Sequence, residues 1–169
     1  MQNHFITSYI GLGSNIGNKK GNILKALELI SSDVVTVTAR SHFYLTSPVD
    51  FRKQDDFINC VTKVTTLLSP LELLKYLKNI EKELGRTETV DKGPRIIDLD
   101  ILLCEGVVLY TPELKIPHPS LHLRKFVLVP FAEIAPDTFH PMIGETVSSI
   151  LNSLKDESKV EIIKNDAGN

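Results

Sequence analysis

The sequence predicts an α/β chain of the α+β kind, with an antiparallel-rich central sheet covered by helices, and three observations carry the prediction. Two stretches, Asn18 to Ser31 and Ser69 to Gly85, place apolar residues at the three- and four-residue spacing of amphipathic helices. Four others are short, β-branched or alternating, and bounded by glycine, proline or polar clusters, as strands are. Along the chain the two kinds run β-α-β-β-α-β, so the steady strand-helix alternation of a doubly wound sheet is missing. That order, with both helices able to cover one sheet face, gives a ferredoxin-like sandwich. A length of 169 residues with 42% hydrophobic content suits a single domain over residues 1–169.

Each element has its own signal. Phe5 to Leu12 is an apolar run ending in Gly-Leu-Gly-Ser-Asn, a buried strand running into a turn. Through Gly17 the glycines read G-x-G-x-x-x-G, one residue too long for the dinucleotide fingerprint, and no GK[ST] follows for a phosphate loop. They are expected where the strand turns tightly and another backbone approaches. Ile23, Leu24, Leu27 and Ile30 form the apolar stripe of the first helix. Val34 to Tyr44 and Phe57 to Leu67 alternate as paired strands, separated by the charged loop Ser47 to Asp56, which reads as mobile. Ser69, Pro70 and Glu72 are N-cap, first-turn proline and capping-box partner of the second helix, and Gly85 is placed to be its C-terminal cap. Arg86 then enters a second polar loop, Thr87 to Lys92. Val107 to Tyr110 is a short strand, Ile116 to Pro119 is extended by its prolines, and Leu121 to Phe126 is a short helical turn. The polar tail from about Lys155 either frays or adds a strand at Val160 to Ile163.

Bulk properties narrow the function. A net charge of −2 and a pI near 6.2 leave no basic surplus for nucleic-acid binding. No apolar run approaches a membrane span and the first residues do not resemble a signal peptide, so a cytoplasmic protein is expected. Cys60 and Cys104 lie in apolar runs without metal-ligand spacing and read as reduced core thiols.

The stretch that carries chemistry is Asp91 to Cys104, DKGPRIIDLDILLC. In a strand, Ile97, Leu99, Ile101 and Leu103 face one side while Asp98 and Asp100 share the other. Two adjacent carboxylates repel each other unless a cation lies between them, and hard oxygen donors suit Mg²⁺ bound together with substrate phosphates. Lys92 and Arg95 flank the rigid Gly93-Pro94 turn and can aim positive charge at the same place. Carboxylates for metal and cations for phosphate together make a phosphoryl-transfer site.

GPRIIDLDILL resembles the signature of the 6-hydroxymethyl-7,8-dihydropterin pyrophosphokinases, which transfer a pyrophosphoryl group from ATP to a pterin alcohol in folate biosynthesis. Five further blocks fall in family order: GLGSN at Gly11–Asn15, FYLTSP at Phe43–Pro48, FIN at Phe57–Asn59, Glu81 with Gly85-Arg86, and IPHP at Ile116–Pro119 with Arg124 and Phe126. Together they span most of residues 6 to 150. The resemblance implies a ferredoxin-like fold with extra helices on the second face, ATP as co-substrate, and two Mg²⁺ ions held by Asp98 and Asp100. It implies Arg86 and Arg95 as catalytic, and Glu81, Lys92, Arg95, Ile101, His118 and Arg124 as ATP-binding. The pterin slot is implied at Thr46, Ser47 and Val49 along one edge, Asn59 for the pyrimidine ring, and Phe57 and Phe126 on either side. The expected partners are the two small substrates alone, bound by a monomer. Three features depart from the family pattern: the Arg86–Arg95 loop is one residue shorter, Lys92 stands where many members carry a large aromatic, and Glu113 stands where a basic residue is common.

Two other functions share some of these features. A DxD transferase acting on a nucleotide-sugar would also pair carboxylates around a metal, but would release a nucleoside diphosphate. A ferredoxin-like ligand-binding module would need neither the metal nor the paired aspartates.

Overall fold

The computed structural model describes residues 4–50, 53–88 and 91–164. In chain order it contains β1 (Ile6–Ser14), α1 (Lys19–Ile30), β2 (Val35–Arg40), β3 (Tyr44–Thr46), β4 (Phe57–Thr66), α2 (Pro70–Glu83) and β5 (Asp98–Cys104). There follow β6 (Leu109–Tyr110), β7 (Lys115–Ile116), a 3-10 turn at Leu121–Leu123, α3 (Lys125–Ile134), β8 (Phe139–His140), β9 (Glu145–Thr146), α4 (Val147–Ser153) and β10 (Val160–Ile162). No described helix is long and apolar enough to cross a membrane.

The main sheet has the order β10-β3-β4-β1-β5, with β2 pairing along the far half of β4, and every pairing is antiparallel. Its inner order β5-β1-β4-β2, with α1 and α2 as crossovers, is the expected ferredoxin-like arrangement. One face buries Ile10, Leu12, Leu99 and Ile101 against Ile23 and Ile30 of α1 and Leu73 and Leu77 of α2. The other buries Tyr9, Val61 and Leu103 against Leu128 and Phe131 of α3 and Val147 of α4. The helix α3 extends what the sequence suggests only as a short turn, because its run KFVLVPFAEI is apolar almost all round and carries Pro130. Periodicity is lost in a helix buried on most sides.

Two strands differ from the simple alternation. The expected single strand Val34 to Tyr44 is broken into β2 and β3 at Ser41 to Phe43. There the Ser41 hydroxyl accepts from Val61 N (3.0 Å) while Ser41 N donates to Val61 O (2.9 Å), so a side-chain oxygen takes a place in the ladder. The break turns Phe43 wholly into the helix-side core, with the Arg40 guanidinium 4.3 Å from its ring centroid. In β5, Tyr9 pairs with Leu103 but Ile10 pairs with Ile101, so Leu102 is an extra, bulged residue. Leu103 therefore packs on the α3 side, not beside Ile97, Leu99 and Ile101 as unbroken alternation would place it.

The second helix follows its local code. Ser69 Oγ accepts from Glu72 N and Glu72 Oε2 accepts from Ser69 N (2.8 Å), completing the capping box. At the other end Gly85 has φ +85°, a left-handed conformation that lets Arg86 N donate back to Glu81 O (3.0 Å) and turns Arg86 toward the sheet. Both cysteines are buried and unpaired to each other, and burial pushes the Cys104 thiol up, as expected of core thiols. Replacing Ser69 with Ala should lower the unfolding free energy by about 1 kcal/mol, the usual worth of an N-cap, with KM values unchanged. Chemical denaturation checks the first, and any change in KM would show that α2 transmits cap strain to its far end.

Candidate active site

A cavity of about 310 Å³ opens over the middle of the sheet, on the face away from α1 and α2. Its floor is β1, where Gly11 and Gly13 lie opposite Asp100 and Asp98 of β5, and where Gly13 also lies opposite Asn59 of β4. The two glycines sit within the strand, not at a turn beyond it, and it is side chains that approach them. A Cβ on Gly13 would meet Asn59 Oδ1 at 2.5 Å, and one on Gly11 would meet Leu102 at 3.3 Å. Glycine here lets an amide and a leucine lie flat over the sheet where a larger residue would lift them into the cavity.

The charges are arranged around Asp98 and Asp100. Asp98 Oδ1 accepts from Arg86 Nη1 (2.8 Å), and Arg95 Nε lies 3.5 Å from Oδ2 without a hydrogen-bonding angle. Arg95 Nε is buried and finds no hydrogen-bond partner among the described residues, while its guanidinium sits 5.4 Å from the Phe57 ring centroid. Asp100 has no ion pair within 4 Å among the described residues. Burial first, then the charge of Asp98, raise its pKa from 3.8 to about 6, with Lys78 opposing. His118 Nδ1 accepts from Ser120 N (3.1 Å), so a neutral ring carries its proton on Nε2, the other nitrogen. Burial and the nearby Arg124 lower its pKa to about 4, so that neutral form holds at ordinary pH.

The apolar and amide-bearing part of the same cavity is formed by β3, β4 and the start of α3. Asn59 Nδ2 donates to Thr46 Oγ1 (2.6 Å), which fixes the amide plane. Ser47, Val49, Phe57 and Phe126 line the space around it, and Arg124 lies 5.7 Å over the Phe126 ring. The described parts of the two loops meet at the mouth: Lys92 Nζ is 3.3 Å and Arg124 Nη2 3.9 Å from Asp50 Oδ2, and Gln54 Nε2 donates to Lys92 O (3.1 Å). Lys92 has φ +57°, an uncommon conformation for a side-chain-bearing residue. Residues 51, 52, 89 and 90 of these loops lie outside the described residues.

Thirteen of the fifteen residues expected at the site line this cavity; the other two do not. Ile101 packs into the helix-side core, because odd-numbered β5 residues below the bulge face α1 and α2. Glu81 is almost fully buried behind the cavity wall, where Oε1 accepts from Leu99 N (2.8 Å) and from Arg86 Nη1 (2.7 Å). Its acceptors are taken by the protein, so it positions Arg86 and does not itself face the cavity. Glu113 is exposed and apart from it.

Three contributors escape the sequence reading. Lys78, one helical turn before Glu81, bonds both Glu81 oxygens (3.1 Å) and lines the cavity. The three-residue spacing from Glu81 was its only signal. Asp50 was hidden in a charged loop. Asn15 is buried and joins both loops to the end of β1: Oδ1 accepts from Arg95 N (2.9 Å), and Nδ2 donates to Gln54 Oε1 (2.9 Å) and Asp55 O (3.2 Å).

Comparison with known proteins identifies the family. Residues 9–136 match the family model described as 7,8-dihydro-6-hydroxymethylpterin-pyrophosphokinase (HPPK). The 2-amino-4-hydroxy-6-hydroxymethyldihydropteridine pyrophosphokinase of Methylorubrum extorquens is 42% identical over 158 residues, covering 93% of this chain and 98% of that one. The Aquifex aeolicus protein of the same name is 43% identical over 136 residues, covering 80% and 84%. The folic acid synthesis protein FOL1 of Dictyostelium discoideum is 39% identical over 155 residues, but this chain spans only 23% of its length. Among solved structures, the Plasmodium falciparum HPPK-DHPS chain with pteroate superimposes with a TM-score of 0.73 at 16% identity, over 88% of this chain and 42% of that one, a likeness of fold. On the family match over residues 9–136 and the identity to the Methylorubrum extorquens and Aquifex aeolicus relatives over most of their length, the chain belongs to the 7,8-dihydro-6-hydroxymethylpterin-pyrophosphokinase family.

Proposed function

We propose that this cavity transfers the terminal diphosphoryl group of ATP to 6-hydroxymethyl-7,8-dihydropterin, giving AMP and the pterin diphosphate for folate biosynthesis. The observation that carries the reading is that one cavity is lined both by the Asp98–Asp100 pair with Arg86, Arg95 and Arg124, and by Asn59, Phe57 and Phe126. Phosphates need the first set and a flat, hydrogen-bonding heterocycle needs the second. In the transfer the pterin alcohol oxygen bonds to the β-phosphorus, the bond from that phosphorus to the α,β-bridging oxygen breaks, AMP leaves with that oxygen, and the alcohol proton is lost. A complete lining within one chain supports action as a monomer on these two small substrates. Family membership disfavours the nucleotide-sugar transferase and the non-catalytic module.

The donor set fits Mg²⁺. No cluster of three or more His, Cys, Asp or Glu side chains among the described residues could hold a metal by itself. A pair of carboxylates, one without an ion-pair partner, suits an ion that takes its remaining ligands from phosphates and water. Asp98 and Asp100 would hold the two ions the family resemblance implies, which supply positive charge to phosphate oxygens as negative charge builds there. The protein's own groups do the positioning. Arg95 Nε–H is buried with no hydrogen-bond acceptor among the described residues and takes a phosphate oxygen. Arg86, anchored on Glu81 and Asp98, holds its guanidinium plane for the same purpose. His118 donates a neutral N–H to the nucleotide, and Lys92 and Arg124 add positive charge at the mouth. Asn59 pairs with the pterin edge through Oδ1, its Nδ2 being directed to Thr46.

Three measurements test this. With the pterin alcohol, ATP and Mg²⁺, a coupled assay should detect AMP, and Asp98→Ala or Asp100→Ala should lower kcat at least ~100-fold, the scale of losing a main electrostatic contributor. Release of ADP, or near-normal kcat in either variant, would refute the assignment. Asn59→Leu should weaken pterin binding roughly 5- to 150-fold, from about 1 to 3 kcal/mol for an unpaired buried polar edge, and leave Mg-ATP binding unchanged. Calorimetric titration that shows equal weakening of both ligands would place Asn59 in the fold and not in the slot.

The third follows from the raised pKa of Asp100. Its folded-state value of about 6 lies above the ordinary 3.8, so ionisation destabilises the fold, beginning as pH rises past the lower value and complete above the higher. In metal-free protein, Asp100→Asn should therefore raise Tm at about pH 8, with the gain shrinking toward about pH 4. A variant less stable than wild type at the higher pH, or a gain independent of pH, would show that Asp100 bears no such strain.

A further inference from the structure

The segment after α4 lies beyond the stretch matched by the family model, yet it touches both walls of the proposed pterin slot. On one side Asp156 Oδ2 accepts from Lys125 N (3.2 Å), the first residue of α3, while Asp156 Oδ1 accepts from Ser158 N (2.8 Å). Lys125 Nζ donates to Ser158 O (3.1 Å). The N-cap of α3 is Arg124, which makes no side-chain cap bond, so Asp156 supplies from outside the helix the acceptor that its own cap lacks. Arg124 and Phe126, the residues on either side of Lys125, both line the cavity.

A few residues later the same segment grips the opposite wall. Val160 pairs with Thr46, Glu161 with Leu45 and Ile162 with Tyr44. Ser47 N donates to Lys159 O (3.3 Å), and Lys159 Nζ lies 3.5 Å from Asp56 Oδ2 at the end of the first loop. Thr46 in turn receives the Asn59 amide. Neither Asp156 nor Lys159 lines the cavity, so whatever they do to a ligand passes through the residues they hold.

We propose that residues 156–162 form a strap that sets the spacing between the α3 wall, with Phe126, and the β3 wall, with Thr46 and Ser47, and that Asp156 is its positioning residue. The inference rests on the reading of this slot as the pterin site. Although burial pushes the other way, the bonds from Ser158 and Lys125 hold the Asp156 carboxyl below the ordinary range, so the cap is charged at neutral pH, the sign favoured at a helix N-terminus. Without the cap the first turn of α3 loosens, and Phe126 with it.

The experiment is calorimetric titration of the pterin alcohol into full-length protein carrying Asp156→Ala, Lys125→Pro, both together, or Asp156→Asn. Lys125→Pro removes the N–H that Asp156 binds at the one helical position where proline is well tolerated, so the helix itself is kept. Each single change should weaken pterin binding about 5- to 10-fold, the order of losing one helix cap. The pair should cost no more than either alone, and Asp156→Asn, which keeps an acceptor, should restore binding to within about 2-fold. Unchanged affinity in either single variant, or losses that multiply in the pair, would overturn the strap. Wild-type protein that binds no pterin would instead refute the slot assignment, leaving the two failures distinct.

Discussion

One buried carboxylate ties the helix layer to the chemistry. Glu81, at the last turn of α2, accepts through a single oxygen from the main chain of β5 at Leu99 and from the guanidinium of Arg86, and Lys78 completes its surroundings. Removing it would leave the buried Leu99 amide without its acceptor, at a cost of about 1 to 3 kcal/mol, and Arg86 with Asp98 as its remaining carboxylate. The same contact fixes Arg86 against Asp98, one residue from the Leu99 amide, and so decides where positive charge stands in the cavity.

Around that anchor the cavity is electrostatically unfinished. Asp98 is matched by two arginines, but among the described residues Asp100 has no cation within ion-pair distance and Arg95 Nε has no hydrogen-bond acceptor. An acid with a raised pKa beside a cation with an unused N–H is a poor arrangement for stability. It is a good one for a ligand that brings both anionic oxygens and a metal, because the ligand then satisfies both groups at once. The cavity gains from binding what the empty fold lacks.

The two loops at the mouth are joined at their roots through Asn15. Asn15 reaches Arg95 on one loop and Gln54 and Asp55 on the other, so the end of β1 couples them, and the Lys92–Asp50 pair joins them again at the rim. Both side chains of the Lys92–Asp50 pair are about half exposed, so salt screens this contact.

Much of this was legible in the sequence by itself. Hydrophobic period and cap chemistry are local, so the two crossover helices, the capping box at Ser69 and Glu72 and the turn at Gly85 follow from neighbouring residues alone. Strand alternation put Asp98 and Asp100 on one face, and the ordered motifs named thirteen residues that line one cavity. What needed the tertiary structure was every feature set by a partner distant in the chain. The bulge at Leu102 exists only in register with β1, so the face of Leu103 could not be read from β5. Ser41 breaks a strand because Val61, twenty residues on, donates its main-chain N–H to the Ser41 hydroxyl as a ladder partner. The helix α3 shows no periodicity because the sheet covers one side of it and α4 another. Glu81 and Ile101 belong to the family-like blocks but do not line the cavity, since burial and hydrogen bonding, which depend on what packs opposite, decide which side chains of a motif face it.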